Sequence, residues 1–318
     1  MRYSGAITQG LATALEADER VVLMGIDVGA GGGIFTVTRG LHERFGSARV
    51  IDTPISEMGY VGAAVGAAMT GLRPIVEIMF MDFLGVCLDP IMNQAAKLPY
   101  MSSGALQVPI VFRTQTGAGR AAGAQHSQSL EAMVAHIPGL KVVMPATVTD
   151  AHDLLVAAAE DPNPVVYIEN RRLYAMRGAL GEDPLPLGRA RVAVPGDDVT
   201  VVTWGQMVRE SAAAAEKAQA SVEVIDLRSL VPLDWETVLR SAERTGRVLV
   251  VHEAVQDFGA GAEIAARVGE ELFDVLRVPV KRIGAPAVPM PFNPELEQML
   301  MPGADAIVAA CEQLVREG

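Results

Sequence analysis

Short runs of β-branched residues alternate with alanine-rich stretches along the chain, and this rhythm narrows the fold further than any single motif. In the first half, "RVVLMGID" (20–27), "PIVEIMF" (74–80), "VPIVFRT" (108–114), "LKVVMP" (140–145) and "PVVYIEN" (164–170) read as buried strands. Between them, "GYVGAAVGAAMTGL" (59–72), "DPIMNQAAKL" (89–98) and "DAHDLLVAAAE" (150–160) read as helices. Strands this uniformly apolar are buried on both faces, so helices must cover both sides of a mostly parallel sheet. After a Pro- and Gly-rich stretch at 177–198 the rhythm restarts with "VTVVTWG" (199–205), "SVEVIDL" (221–227), "RVLVVHEA" (247–254) and "VKRIGAP" (280–286). The expected architecture is α/β, with two doubly wound domains of mostly parallel strands: residues 1–180, a linker over 181–194, and residues 195–318.

Parallel sheets bind ligands beyond the carboxyl ends of their strands, which directs attention to the loops after "VLMGID", "EIMF" and "IVFRT". A net charge of −12 argues against a nucleic-acid partner, because affinity for nucleic acid comes mostly from neutralised phosphates. Cys87 and Cys311 lie far apart and the five histidines are dispersed, so neither a zinc site nor a disulfide framework is indicated, and a reducing, cytoplasmic setting is expected. The first 25 residues have helix periodicity with acids inside it, unlike a signal peptide. The most apolar window, 61–80, contains Arg73, Pro74 and Glu77 and falls short of a membrane span.

Within this apolar setting "ISEMGY" (55–60) places one carboxylate, Glu57, just ahead of a nearly uncharged run. A carboxylate in dry surroundings loses hydration and seeks a proton or a basic partner. A first-turn acid at a helix N-terminus would account for it equally well. The glycines of "VGAGGGIF" (28–35) lack the third glycine of a dinucleotide fingerprint, since Ile34 stands there, and no GxxxxGK[ST] or GxSxG run occurs. In "GAGRAAGAQHSQ" (117–128), His126 follows a glycine-rich loop and precedes a helix, where an imidazole transfers protons at neutral pH or simply packs on the helix.

Taken with "DTPISEMGYVGAAVGAAMTGLRPIVEIMF", "AQHSQ", "HIPGLKVVMP" and "IDLRSLVPLD", the chain resembles, over nearly its whole length, the beta subunit of the thiamine-diphosphate-dependent decarboxylating component of 2-oxo acid dehydrogenase complexes, nearest the acetoin and pyruvate dehydrogenases. The resemblance implies that Glu57 hydrogen-bonds the cofactor's aminopyrimidine ring and promotes the tautomer that takes the thiazolium proton. It further implies that Phe83 packs on that ring with Met79 nearby, and that His126 faces the reaction centre. Ile110, Ala158, Asp161 and Asn163 match positions that hold potassium in some members, although "EDPNP" (160–164) also reads as an ordinary turn. Many members carry an acidic residue where this chain has Ile26, so the substrate is expected to differ.

The GDG…NN signature that binds magnesium and the diphosphate is absent. The resemblance therefore implies a pyrimidine half-site, completed by an alpha subunit in a heterotetramer of two alpha and two beta chains, with transfer of the acyl group to a lipoyl acyltransferase. The second domain is expected to serve dimerisation and docking of that acyltransferase. A split transketolase and a non-catalytic assembly subunit are the alternatives.

Overall fold

A computed structural model describes residues 1–181 and 186–318. The expected linker at 181–194 lies partly outside these described residues. The chain divides into two compact units, Met1–Thr116 with Met133–Leu187, and Gly117–Ala132 with Gly188–Gly318.

In the first unit six strands, β1 (Val21–Gly25), β2 (Val50–Asp52), β3 (Arg73–Ile78), β4 (Val111–Thr116), β5 (Lys141–Val143) and β6 (Val165–Asn170), follow the spatial order β5-β6-β4-β3-β1-β2. Every pairing among them is parallel. β4 and β6 are buried at each position, their polar residues included. The helices are α1 (Tyr3–Ala17), α2 (Leu41–Phe45), α3 (Glu57–Met69), α4 (Leu98–Met101), α5 (Glu131–Ala135) and α6 (Val148–Glu160). α1 lays Ile7, Leu11 and Leu15 against Leu154, Leu155 and Ala158 of α6 in one core. Gly10 permits the close approach, since a Cβ there would sit 3.1 Å from the His152 carbonyl oxygen. α6 starts with a reciprocal cap between Thr147 and Asp150.

One cluster in this core is ionic. Arg113, central in β4 and fully buried, donates through Nη1 to Glu77 on β3 and through Nε to Glu169 on β6, and its Nη2 lies 2.9 Å from Glu169 Oε2. The Tyr174 hydroxyl donates to the same Glu169 oxygen at 2.5 Å. Burial works against the Arg113 charge, but Glu169 and Glu77 more than offset it and hold its pKa above the ordinary guanidinium value.

The second unit contains β7 (Arg191–Val194), β8 (Val199–Thr203), β9 (Val222–Asp226), β10 (Ser229–Val231), β11 (Val248–Val255) and β12 (Lys281–Ala285). Five of them form a sheet in the order β12-β11-β8-β9-β7. Only the β7–β9 pairing is antiparallel. The helices are α7 (Gln206–Lys217), α8 (Trp235–Thr245), α9 (Ala260–Glu271), α10 (Pro294–Leu300) and α11 (Ala304–Glu317). α7 and α11 share a core with the sheet through Met207, Ala214, Ile307 and Leu314. α8 packs on β8, where the Thr200 hydroxyl lies 2.7 Å from Ser241 Oγ.

Two differences from the sequence reading matter. β7 occupies the end of the stretch read as linker, because Arg191 and Val192 pair with Asp226 and Ile225 of β9. Residues 117–132, expected in the first domain by chain order, belong by their contacts to the second unit. No helix among the described residues is long and apolar enough to cross a membrane.

Candidate active site

Glu57 is the first residue of α3 and is 8% exposed. The helix runs on with Tyr60, Val61, Ala64 and Val65 turned inward, a spacing that fixes its buried face. Buried beside the Glu57 carboxylate are Tyr60 and Cys87. Burial, and then the Glu57 charge, push the Cys87 thiol up to about 12; the same causes in the same order raise the Tyr60 phenol. The Tyr60 hydroxyl is turned away, donating to the Glu77 carbonyl at 3.1 Å. Among the described residues the Glu57 carboxylate takes part in no hydrogen bond or ion pair. A first-turn cap would have spent those oxygens on helix N–H groups, and Ser56 and Glu57 make no side-chain cap at this end.

β3 ends at Ile78 and delivers Met79, buried, into the turn that follows. A 3₁₀ segment, Met81–Cys87, then carries Phe83, which is half-buried. Phe83 meets Phe80 edge-to-face with centroids 6.4 Å apart, and Phe80 in turn meets Phe35 at 5.5 Å. The Phe83 carbonyl lies 3.6 Å from Cys87 Sγ, so the segment bearing Phe83 is tied to the thiol that feels Glu57. Ile26, half-buried, follows β1 directly; the loop after it is held by Asp52, whose carboxylate accepts the Gly29 N–H at 2.6 Å.

His126 is half-buried on the loop after β4, within the second unit, and its N–H donates to the Gly123 carbonyl at 3.3 Å. Three acids hold this loop. Glu253 Oε1 accepts the Ala118 N–H at 2.7 Å and Glu297 Oε2 accepts the Ala121 N–H at 2.8 Å. At the far end Glu131, its carboxyl pushed up by burial, accepts from Trp204 Nε1 at 3.2 Å. Sequence reasoning missed Glu253 and Glu297. They lie 135 and 176 residues from the groups they bind, a span that no local pattern reports.

Ile110, Ala158, Asp161 and Asn163 gather in one corner of the first unit. The Ile110 carbonyl accepts the Val165 N–H at 2.9 Å, the Ala158 carbonyl accepts the Asp161 N–H at 3.3 Å, and the Asp161 carbonyl accepts from Arg73 at 3.0 Å. The Asp161 carboxylate pairs with Lys141 and accepts the Asn163 N–H at 2.9 Å, the geometry of an Asx turn.

Comparison with known proteins finds two family domains in chain order, the first of which includes residues 117–132. Residues 1–177 match the transketolase pyrimidine binding domain and residues 188–307 the transketolase C-terminal domain. The chain is 45% identical to the Bacillus subtilis (strain 168) acetoin:2,6-dichlorophenolindophenol oxidoreductase subunit beta, covering 99% of this chain and 97% of that one. It is 44% identical to the pyruvate dehydrogenase E1 component subunit beta of Rhizobium meliloti (strain 1021), covering 98% and 70%, and 41% identical to the 2-oxoisovalerate dehydrogenase subunit beta of Bacillus subtilis, covering 99% and 98%. Among solved structures, a split gene transketolase described as an inactive beta4 tetramer superposes with a TM-score of 0.82 at 22% identity, over 99% of both chains; at that identity it shows the fold alone. The chain belongs to the family of beta subunits of the thiamine-diphosphate-dependent 2-oxo acid and acetoin dehydrogenases.

Proposed function

We propose that this chain supplies the pyrimidine-binding half of a thiamine-diphosphate site and, with an alpha subunit in a heterotetramer of two alpha and two beta chains, serves a 2-oxo acid or acetoin dehydrogenase that delivers acyl groups to a lipoyl acyltransferase. The observation that carries the reading is the buried Glu57 carboxylate without a hydrogen-bond partner among the described residues. A basic ring nitrogen of an aminopyrimidine suits it, since a carboxyl in a dry pocket makes a short, strong hydrogen bond to such a group and can share a proton with it. Phe83, at the surface of its 3₁₀ segment, offers an aromatic edge to the same ring, and Met79 lines the wall behind it.

When bound, thiamine diphosphate supplies the nucleophilic carbon that cleaves the bond beside a carbonyl. The residues of this chain hold and move protons around that event. Glu57 shares a proton with the ring nitrogen, and His126 handles the proton of the substrate or of the acyl acceptor. Ile26, where the family resemblance leads to the expectation of an acid, places an apolar side chain at the substrate end, so the substrate differs accordingly. Magnesium and the diphosphate fall to the alpha chain. The outward face of α3, where a Cβ at Gly62 or Gly66 would meet nothing within 4 Å, suits close packing against another subunit. Two buried free cysteines support a cytoplasmic setting.

In the turn at Asp161, the Ile110 and Ala158 carbonyls each keep a second lone pair, the hard-oxygen chemistry that a potassium ion takes. Arg73 and Lys141 bring two positive groups to the same corner, so binding there is weak.

The test is Glu57→Gln assembled with the alpha chain. Activity should fall about 10²–10⁴-fold, the usual cost of losing a placed acid–base group, while calorimetry still shows the cofactor binding. Near wild-type exchange of the thiazolium proton would sink the role of Glu57. Tight cofactor binding by this chain alone would sink the half-site.

A further inference from the structure

The loop that carries His126 is built on an unusual backbone. Gly117, Gly119 and Gly123 all have positive φ, and so does Ala121, at +50°. A left-handed alanine costs roughly 1–2 kcal/mol, and glycines have the most conformational freedom to lose on ordering. Ties from outside the loop offset that cost.

Glu297 lies on α10, a helix whose Leu296 and Met299 are 52% and 78% exposed, yet Glu297 itself is 2% exposed. Burying a carboxylate on an otherwise exposed helix is unfavourable unless donors meet the charge. The donor it meets is the Ala121 N–H, at the one non-glycine position of the loop with positive φ. Glu253, 8% exposed in β11, takes the Ala118 N–H three residues earlier. Phe292, one residue before the α10 cap, covers the next turn: a Cβ on Gly123 would come within 3.2 Å of its ring. The Gly123 carbonyl then accepts the His126 backbone N–H, so the turn under Phe292 also fixes the main chain of His126. Hydrogen bonds from backbone N–H groups to ionised carboxylates are about twice as strong as neutral ones, which suits them to hold a mobile segment.

We propose that Glu253 and Glu297 are positioning residues for His126, fixing its loop so that the imidazole meets substrate or acyl acceptor in one geometry. The inference rests on the role given to His126 above, and the test separates the two. In the assembled enzyme, Glu297→Met fills the same space without an acceptor. It should lower turnover about ten- to a hundredfold, the scale of a misplacement of about 1 Å, with thiazolium-proton exchange unchanged. Glu297→Gln keeps an oxygen for the Ala121 N–H and should recover most of that turnover. In a His126→Ala background, Glu297→Met should add no further loss, because the two act through one group.

Amide hydrogen exchange over residues 117–130 reads the tie independently of catalysis. Glu297→Met and Glu253→Met should each speed it, and Glu297→Gln should not. Unchanged exchange in both methionine variants would overturn the proposal, as would an additive loss over His126→Ala. Full activity of His126→Ala would instead sink the role of His126 and leave the tie to stand or fall on exchange.

Discussion

Replacing Arg113 by methionine should be among the most damaging single changes in this chain, although Arg113 touches no candidate site residue. The methionine matches the arginine stem and leaves two carboxylates, Glu77 and Glu169, buried at 2% and 0% exposure without their common cation. Breaking a buried pair by removing one partner costs about 3–5 kcal/mol, because the remaining charge is stranded in a medium that solvates it poorly. The upper end applies here, since one guanidinium serves two carboxylates and only Glu169 keeps a second donor, Tyr174. Against a typical total of about 5–15 kcal/mol this is a large fraction of the fold's stability.

The protein carries its own reporters for the assay. All five tyrosines, Tyr3, Tyr60, Tyr100, Tyr167 and Tyr174, lie in the first unit, and both tryptophans, Trp204 and Trp235, in the second. With a urea dependence of about 2 kcal/mol per molar, the tyrosine-detected midpoint should fall by roughly 2–2.5 M. A tryptophan-detected midpoint that stays put would show the units melting separately; one that falls equally would show a single cooperative transition. Changing Glu77 and Glu169 to leucine or methionine together with Arg113→Met should restore most of the loss, since an apolar cluster of similar volume is often as stable as the ionic one. A tyrosine midpoint for Arg113→Met within about 0.3 M of wild type would refute the reasoning, which rests on the carboxylates being stranded.

Two further outcomes are expected. His252, fully buried, stacks on Trp204 at 5.4 Å, donates from Nδ1 to the Ala254 carbonyl, and has its pKa lowered to about 4, chiefly by burial. The unfolded chain takes up a proton near pH 6.5 that the folded chain refuses until about pH 4, so stability should fall as pH drops through that window, by about 3 kcal/mol in all. The slope of unfolding free energy against pH, followed by tryptophan fluorescence, should flatten in His252→Gln, and an unchanged slope would exonerate His252. Potassium chloride should raise the tyrosine-detected melting temperature above that in choline chloride at equal ionic strength, and Asn163→Gly with Asp161→Ala should abolish the difference; equal melting in both salts would remove the ion from the Asp161 turn.

The strands of both units were legible because a buried parallel strand is rich in β-branched and apolar residues, and β1, β3, β4, β6, β8, β9 and β11 all lie within such runs. β2 and β7 were not, since three or four residues of mixed polarity carry no signal apart from the partners they pair with. The helix read at 89–98 is partly a π-helical stretch, Pro90–Ala95, followed by the separate short α4. Glu57 stood out because a lone charge in an apolar run is a local anomaly. Glu77, Arg113 and Glu169 are equally anomalous within their strands. Their meaning appears only with the register that sets Glu77 beside Arg113 and brings β6 alongside β4.

His126 was visible as a residue but not as a member of the second unit, and that membership changes what the second domain is for. The segment between β4 and α5 in chain order donates its Ala118 and Ala121 N–H groups to acids on β11 and α10 of the same, second unit. Cutting the chain near residue 190 would leave Glu57 with its helix and Met79 and Phe83 with their strand, yet strip the His126 loop of both carboxylate ties and of the Phe292 cover. Such a piece would keep the parts assigned to proton exchange at the cofactor and lose the geometry assigned to acyl handling. On the proposed role of His126, the C-terminal unit would then serve more than the proposed dimerisation and docking, because its Glu253 and Glu297 accept hydrogen bonds from the loop that carries His126.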